Sequence, residues 1–180
     1  KTGRYHVLFD SGIAAQFLEL LSELCDAEAV IKHMSLFEDK LGVFVASKII
    51  NIVDDPFYKG AVGSCKYDDE GTKARVTRLI NGGVLESYLH NAYTAGLMDT
   101  QNTANAVRTG SGKIGTGISN LVISSTESIT NLARIDGEVL KVLDVMGLHT
   151  ADTVSGDFSL GISGVVLKNG EKSPLTVSAV

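Results

Sequence analysis

The 180-residue chain has no tryptophan, only two cysteines, two prolines and 6% aromatic residues. Each shortage excludes something. Cys25 and Cys65 cannot build the disulfide framework of a small secreted domain, and they read as reduced thiols of a cytoplasmic protein. With two prolines, turns fall to the 19 glycines and to Asn and Asp, a composition that suits hairpins. No apolar run approaches the roughly 18 residues of a membrane helix. There is no cationic excess: 16 Lys+Arg face 21 Asp+Glu, for a net charge of −5. General binding to nucleic acid or to anionic membranes needs Lys/Arg stripes and is therefore not expected. What is present is ordinary globular material, 44% hydrophobic and 21% charged, sufficient for a core and against disorder. The length predicts a single domain over residues 1–180. The chain opens on Lys1 without a visible signal peptide and closes inside an alternating strand, so the expectation is a piece of a longer protein.

Periodicity predicts an α+β fold of mostly antiparallel, hairpin-rich sheets with two or three helices. Tyr5–Phe9 reads as a short buried strand. Asp10 or Ser11 then caps a helix carrying Ile13, Ala14, Phe17, Leu18, Leu21 and Leu24 at helical spacing. A short helix is expected at Glu28–Met34. Strands follow at Val43–Ala46 and Lys48–Val53, stopped by Asp54-Asp55-Pro56. Thr72–Ile80 alternates, Asn81-Gly82-Gly83 turns, and Val84-Leu85 returns. A helix is expected at Tyr88–Met98, a long polar loop at Thr100–Gly117, a strand at Leu121–Ile123, a short helix at Glu127–Ala133 and a strand at Glu138–Val145. Phe158–Leu167 and Leu175–Val180 are expected to pair around Lys168-Asn169-Gly170-Glu171.

Few residues suggest chemistry by pattern alone. Gly110–Gly115 spells G-x-G-x-x-G, but a polar segment precedes it and a strand pattern follows, so the strand–turn–helix context of a phosphate cradle is missing. His6, His33, His90 and His149 are never three or four residues apart, so there is no helical zinc pair. His149 near Asp152 reads first as a loop hydrogen bond. Asp68-Asp69-Glu70 lacks calcium-loop spacing and reads as a solvated turn. Glu19 and Glu23 share a helix face and read as a solvated stripe. There is no G-x-S-x-G elbow. The residues alone therefore stop at an α+β domain without a convincing catalytic set.

Four phrases in order resemble the TldD/PmbA family, also called modulators of DNA gyrase: KLGVFVASKIINIVDDP (Lys40–Pro56), YDDEGTKARVTRLINGGVLESYLHNAYTAGLM (Tyr67–Met98), NTANAVR (Asn102–Arg108) and MGLHTADTVSGDFSLGISGVVLKNGEKSPLTVSAV (Met146–Val180). The resemblance implies the C-terminal domain of a two-domain cytoplasmic protein, with the N-terminal domain and a short C-terminal tail absent. It further implies a hetero-oligomeric protease for small or unfolded peptides, in which a TldD-like subunit holds a zinc-like metal on an HExxxH helix. Here the corresponding helix reads Asp10-Ser11-Gly12-Ile13-Ala14-Ala15-Gln16-Phe17, which offers neither His ligands nor a Glu base. The resemblance is thus to the PmbA/TldE branch: a non-catalytic subunit with no cofactor of its own, a TldD-like partner, a peptide substrate, and a homo-oligomer as a further option. Alternatives are a self-sufficient peptidase with an unrecognised site and a binding protein that modulates another target. The signature positions are Asp54, Asp55, Asp69, Glu70, Gly71, Gly156, Asp157 and Phe158, most of them expected at turns and strand ends. The glycines of the last strands are expected to admit a close backbone, and the Thr100–Gly117 loop to order only against a partner or peptide.

Overall fold

The structure is a computed structural model that describes residues 3–128, 138–168 and, for the backbone only, 171–179. In chain order the elements are β1 (His6–Phe9), α1 (Ser11–Leu24), α2 (Ala27–Ile31), β2 (Ile50–Asp54), β3 (Thr77–Asn81), β4 (Val84–Leu85), α3 (Ala92–Leu97), β5 (Ala106–Arg108), β6 (Ile114–Thr116), β7 (Leu121–Ser125), β8 (Glu138–Met146), β9 (Gly161–Lys168) and β10 (Glu171–Ala179). This is the expected α+β class. The chain divides into two compact units, Lys1–Leu20 with Ser128–Val180, and Leu21–Glu127, so the second interrupts the first in sequence.

The interrupted unit carries the sheet β1-β8-β9-β10. β1 runs parallel to β8, from His6 opposite Val139 to Phe9 opposite Val142, because the intervening unit supplies the long crossover that parallel pairing requires. The other pairs are antiparallel. Lys168 pairs with Glu171 around the predicted turn, whose Asn169 and Gly170 lie outside the described residues. Val139, Val142, Val166 and Leu167 are buried. The expected close approach is found at Gly164: a Cβ there would lie 2.3 Å from the Lys141 carbonyl oxygen. The backbone it admits is that of β8 itself. α1 starts as predicted, with the Asp10 carbonyl accepting from Ala14 N at 2.9 Å. Phe9, Phe17 and Phe158 pack in series, the first pair tilted and the second edge-on, with ring centroids 4.9 and 6.3 Å apart. β1 itself is not the buried strand that its apolar run predicts. Among the described residues it is an edge strand with a neighbour on one side only, and Val7 and Phe9, with Tyr5 before them, are each at least 40% exposed.

The inserted unit carries the antiparallel sheet β4-β3-β2-β7 and the β5-β6 hairpin. The Asn81-Gly82-Gly83 turn joins β3 to β4 as predicted, and Leu79, Ile80 and Leu85 form its core. Val43–Ala46 forms no strand. It makes one bridge, Phe44 opposite Val84, and β2 begins only at Ile50. The predicted Tyr88–Met98 helix shortens to α3. Asn91 is its N-cap, accepting from Thr94 N at 2.9 Å while Thr94 Oγ1 accepts from Asn91 N at 3.1 Å. Upstream, Leu89 exchanges backbone hydrogen bonds with Cys25 and Ala27, and Tyr88 is buried, which holds that stretch extended. The expected Glu127–Ala133 helix falls largely outside the described residues.

Thr100–Gly117 is not the long loop expected. It contains β5 and β6, and Thr103, Ala104, Asn105 and Ala106 are buried. The buried polar side chains of the segment bond inward. Thr103 Oγ1, for example, accepts from His90 N at 2.6 Å and donates to His90 O at 3.1 Å.

Candidate functional site

The site is built at the end of β2. The Pro-terminated strand leaves Asp54 as its last residue, 1% exposed. Its carboxylate accepts three hydrogen bonds: from Ser119 N at 2.8 Å, Ser119 Oγ at 2.9 Å and Asn105 Nδ2 at 2.6 Å. Two segments distant in sequence are thereby fixed to the strand. Asp55 continues the pattern, its carboxylate accepting from Phe57 N at 2.8 Å and its carbonyl from Asn120 Nδ2 at 2.8 Å. Two of the signature acids are therefore anchors of the turn that ends β2.

The acidic run forms a tight turn, with Asp68 N donating to Thr72 O at 3.0 Å and Gly71 in the left-handed region at φ +80°. It is more than the solvated turn expected. Asp68 Oδ1 accepts from Glu70 N and Thr72 N, while Asp68 Oδ2 takes Ala106 N at 3.2 Å. Asp69 N donates to Ala106 O at 3.1 Å, and Asp69 Oδ2 accepts from Arg108 N at 2.6 Å. These carboxylates act as an additional strand edge for β5. Glu70 Oε2 accepts from Ala92 N at 2.8 Å, satisfying a free amide in the first turn of α3.

Between the β2 end and the acidic turn lies a pocket of about 150 Å³, lined by Cys65, Tyr67, Asp68, Asp69, Asn105 and Ser119 together with glycine and aliphatic residues. No Lys or Arg lines it. Its negative character registers on the half-buried Cys65, whose thiol pKa is raised by desolvation first and then by Asp54, Asp68 and Asp69. Such a thiol is a poor nucleophile. Cys25 is fully buried and its pKa is pushed up to about 12 by that burial. His90, also buried, has its pKa lowered to about 4 by desolvation and by Arg75.

The structure thus brings Asp54, Asp69, Glu70 and Gly71 into one neighbourhood, with Asp55 beside it. Gly156, Asp157 and Phe158 belong to the other unit. There Gly156 N donates to Asp152 O and Asp152 N to Asp157 O, both at 2.9 Å, and the exposed Phe158 ring meets Phe17 edge-on. The Asp152 carboxylate accepts from Val154 N and Ser155 N, which lower its pKa, so it serves this turn rather than His149. The G-x-G-x-x-G stretch is the tip of the β5-β6 hairpin and enters a strand, not a helix. Glu19 and Glu23 are exposed on α1, as expected. For a metal of the HExxxH kind the donor set does not fit: Asp10–Phe17 holds one carboxylate and no His, and among the described residues no three His, Cys, Asp or Glu side chains converge. Sequence reading missed Asn105, Ser119 and Tyr67. Asn105 lies within the quoted NTANAVR phrase, but nothing in its spacing distinguishes it from a loop polar residue.

Comparison with known proteins places these features in context. Residues 2–178 match the family described as PmbA/TldA metallopeptidase C-terminal domain. A metalloprotease of Methanocaldococcus jannaschii is 34% identical over 94% of this chain, and a PmbA homologue named as a metalloprotease in Haemophilus influenzae is 27% identical over 92%. The chain spans 38% and 35% of those proteins' lengths. A Thermotoga maritima crystal structure described as a DNA gyrase modulator superposes with a TM-score of 0.84 at 29% identity, covering 99% of this chain and 42% of that one. TldE of Thermococcus kodakarensis shares the fold, with a TM-score of 0.73 at 22% identity, covering 96% of this chain and 41% of that one.

Proposed function

Because the chain belongs to the PmbA/TldD metallopeptidase family, we propose that it is part of a PmbA/TldE-like subunit that completes a metalloprotease without supplying the catalytic metal. The observation that carries this reading is the start of α1. Where the resemblance puts HExxxH, the helix presents Asp10, Ser11, Gly12, Ile13, Ala14, Ala15, Gln16 and Phe17. Hydrolysis of a peptide by a bound metal needs open coordination by His or carboxylate ligands and a base for the attacking water. The first turns of α1 hold neither set.

In this reading the zinc-like metal sits in a TldD-type partner. Relatives named TldD homologues exist in the family, one of them 32% identical to this chain over 59% of its length. The signature acids of the present chain then serve architecture: Asp54, Asp55, Asp69 and Glu70 all accept backbone or side-chain hydrogen bonds at turns. The substrates are small or unfolded peptides, which can reach a cleft enclosed by two subunits, and the assembly works in the cytoplasm.

The test is purification of the tagged full-length protein from its own cells, with mass spectrometry of the co-eluting proteins and metal analysis of each. Near-equal recovery of a homologue carrying HExxxH and the metal is the expected result. Recovery of the protein alone, with stoichiometric metal and peptide cleavage, overturns the reading in favour of a site within the protein itself. Recovery with a target that has no metallopeptidase homology favours a modulator role.

A further inference from the structure

The turn between β3 and β4 carries a chemically reactive dipeptide. Asn81-Gly82 is one of two Asn-Gly pairs in the sequence; the other, Asn169-Gly170, lies outside the described residues. In an unfolded chain the backbone nitrogen of such a glycine attacks the side-chain amide carbon Cγ of the asparagine before it, because glycine has no side chain to obstruct the approach. The glycine nitrogen loses its proton, a five-membered succinimide closes, and the asparagine side-chain nitrogen leaves as ammonia. Water then opens the ring to aspartate or to isoaspartate.

Here both nitrogens of that reaction are engaged. Gly82 N, the nucleophile, donates to Asn51 Oδ1 at 2.8 Å. Asn81 Nδ2, the leaving group, donates to Glu86 Oε1 at 2.7 Å, and a carboxylate that accepts offers no proton to departing ammonia. Both contacts fix the amide orientations, since the flipped forms would set donor against donor or acceptor against acceptor. The turn is also clamped from one side. Gly82 and Gly83 lie in the left-handed region, at φ +53° and +81°. Gly83 N donates to Ile50 O at 2.9 Å, and Gly83 O accepts from Val45 N and Ala46 N at 2.9 and 3.1 Å. A Cβ on Gly83 would lie 2.4 Å from Ala46 O, so residues 45–51 press on the turn. Asn81, the last residue of β3, is paired with Val84, yet its side chain is exposed to water.

We propose that Asn51 guards the Asn81-Gly82 pair against deamidation by holding the Gly82 nitrogen off Asn81 Cγ, so that the fold suppresses a modification to which the unfolded chain is open. An N–H that donates to a carbonyl oxygen is screened from base and fixed in direction. Gly82 N must give up Asn51 before it can lose its proton and swing onto Cγ. The guarded position is one where modification would be costly. A carboxylate at residue 81 would face the Glu86 carboxylate in place of the present hydrogen bond, and isoaspartate would add a backbone atom at the point where β3 turns. The inference is independent of the subunit reading.

The test is incubation of the full-length protein at pH 8, native and unfolded in urea, with tandem mass spectrometry of the digest to count aspartate and isoaspartate at residue 81. Three variants accompany the parent. Asn51→Ala removes the acceptor. Asn51→Asp keeps an oxygen for Gly82 N. Val30→Ala loosens the buried side of α2 in the same unit and leaves Asn51 in place, so it measures what general destabilisation does. Deamidation of Asn81 in the native parent is expected to be at least about tenfold slower than in urea, because it awaits a local opening of the hairpin. Asn51→Ala is expected to speed the native reaction roughly three- to tenfold, the size of one hydrogen bond expressed as a rate. Asn51→Asp and Val30→Ala are expected to stay at the parent's native rate. Equal rates in the native and unfolded parent, an unchanged rate in Asn51→Ala, or equal acceleration by Val30→Ala and Asn51→Ala overturns the proposal.

Discussion

Replacing Asp54 by alanine separates an architectural carboxylate from a chemical one. The side chain is buried and receives three hydrogen bonds, at 2.6, 2.8 and 2.9 Å. Hydrogen bonds to a charged group contribute about 1.5–3 kcal/mol each. Their sum overstates the loss, since removing the carboxylate also removes its own desolvation cost and Asn105 Nδ2 keeps Gly117 O as an acceptor. A net destabilisation of about 3–5 kcal/mol is expected, the range of a broken buried polar network. For a domain of this size that lowers Tm by about 6–20 °C. Asp54→Asn retains an oxygen for Ser119 but sets an amide nitrogen against Asn105 Nδ2, and is expected to cost about 1–2 kcal/mol. The assay is urea unfolding followed by circular dichroism, with hydrogen exchange at Ser119 N as the local readout. An alanine variant within about 1 kcal/mol of the parent, with Ser119 N still protected, would refute the anchoring argument. Lost peptidase activity in that stable variant would return Asp54 to the list of chemical groups.

Three further perturbations test other parts of the fold. His90 has a folded-state pKa of about 4 against an ordinary value near 6.5, so the unfolded chain binds the proton first. Stability is expected to be undiminished above about pH 6.5, to fall as the pH drops from there towards 4, and to level off below, with a total loss of at most about 3 kcal/mol; urea midpoints across this range check it, and His90→Gln should flatten the slope. Alkylation with iodoacetamide at pH 8 should modify Cys65 slowly and leave Cys25 untouched in the native protein, because one thiol is half-buried among acids and the other fully buried; mass spectrometry of the digested product checks it, and rapid labelling of Cys25 would contradict the packing around α2. Gly164→Ala should destabilise the β8-β9 pair by several kcal/mol, about the cost of a severe core clash, because its Cβ would stand 2.3 Å from a backbone oxygen that cannot swing away; a shift in thermal midpoint below about 2 °C would mean the strands separate easily.

The parts of the fold legible in the sequence are those in which a local pattern and the tertiary structure ask for the same thing. α1 was readable because its apolar spacing and its Asp10 start agree, and the β3-β4 hairpin because Asn81-Gly82-Gly83 sits between two apolar runs. Errors fall where tertiary contacts override the pattern. Tyr88–Asn91 has helical spacing but is held extended by Cys25 and Ala27, and Asn91 starts α3 late. Val43–Ala46 has strand composition but meets a two-residue strand, β4, that offers it a single bridge. β1 has the apolar residues of a buried strand but occupies an edge. The signature acids were found by resemblance, and their placement at turns follows from the Pro and Gly beside them. Their partners were not legible: Asp54 meets Asn105 and Ser119 across 51 and 65 residues, separations at which no local period carries information.

Thr100–Gly117 shows why polarity alone misleads. A segment rich in Gly, Ser, Thr and Asn is exposed when water satisfies its polar groups, and buried when the fold does. Here Thr103 bonds both backbone groups of His90, Asn105 bonds Asp54 and Gly117, and the β5 amides of Ala106 and Arg108 bond Asp68 and Asp69. The buried polar side chains Thr103 and Asn105 answer the backbone of His90 and the carboxylate at the end of β2. Asp68 and the signature acid Asp69 thus accept from β5 amides that the short hairpin leaves without a ladder partner. This accounts for acids that resemble a catalytic cluster in sequence yet engage turns and strand edges in the fold. Once these donors and acceptors are matched, two buried side-chain atoms of the described residues are left without a partner, Asn105 Oδ1 and His90 Nδ1.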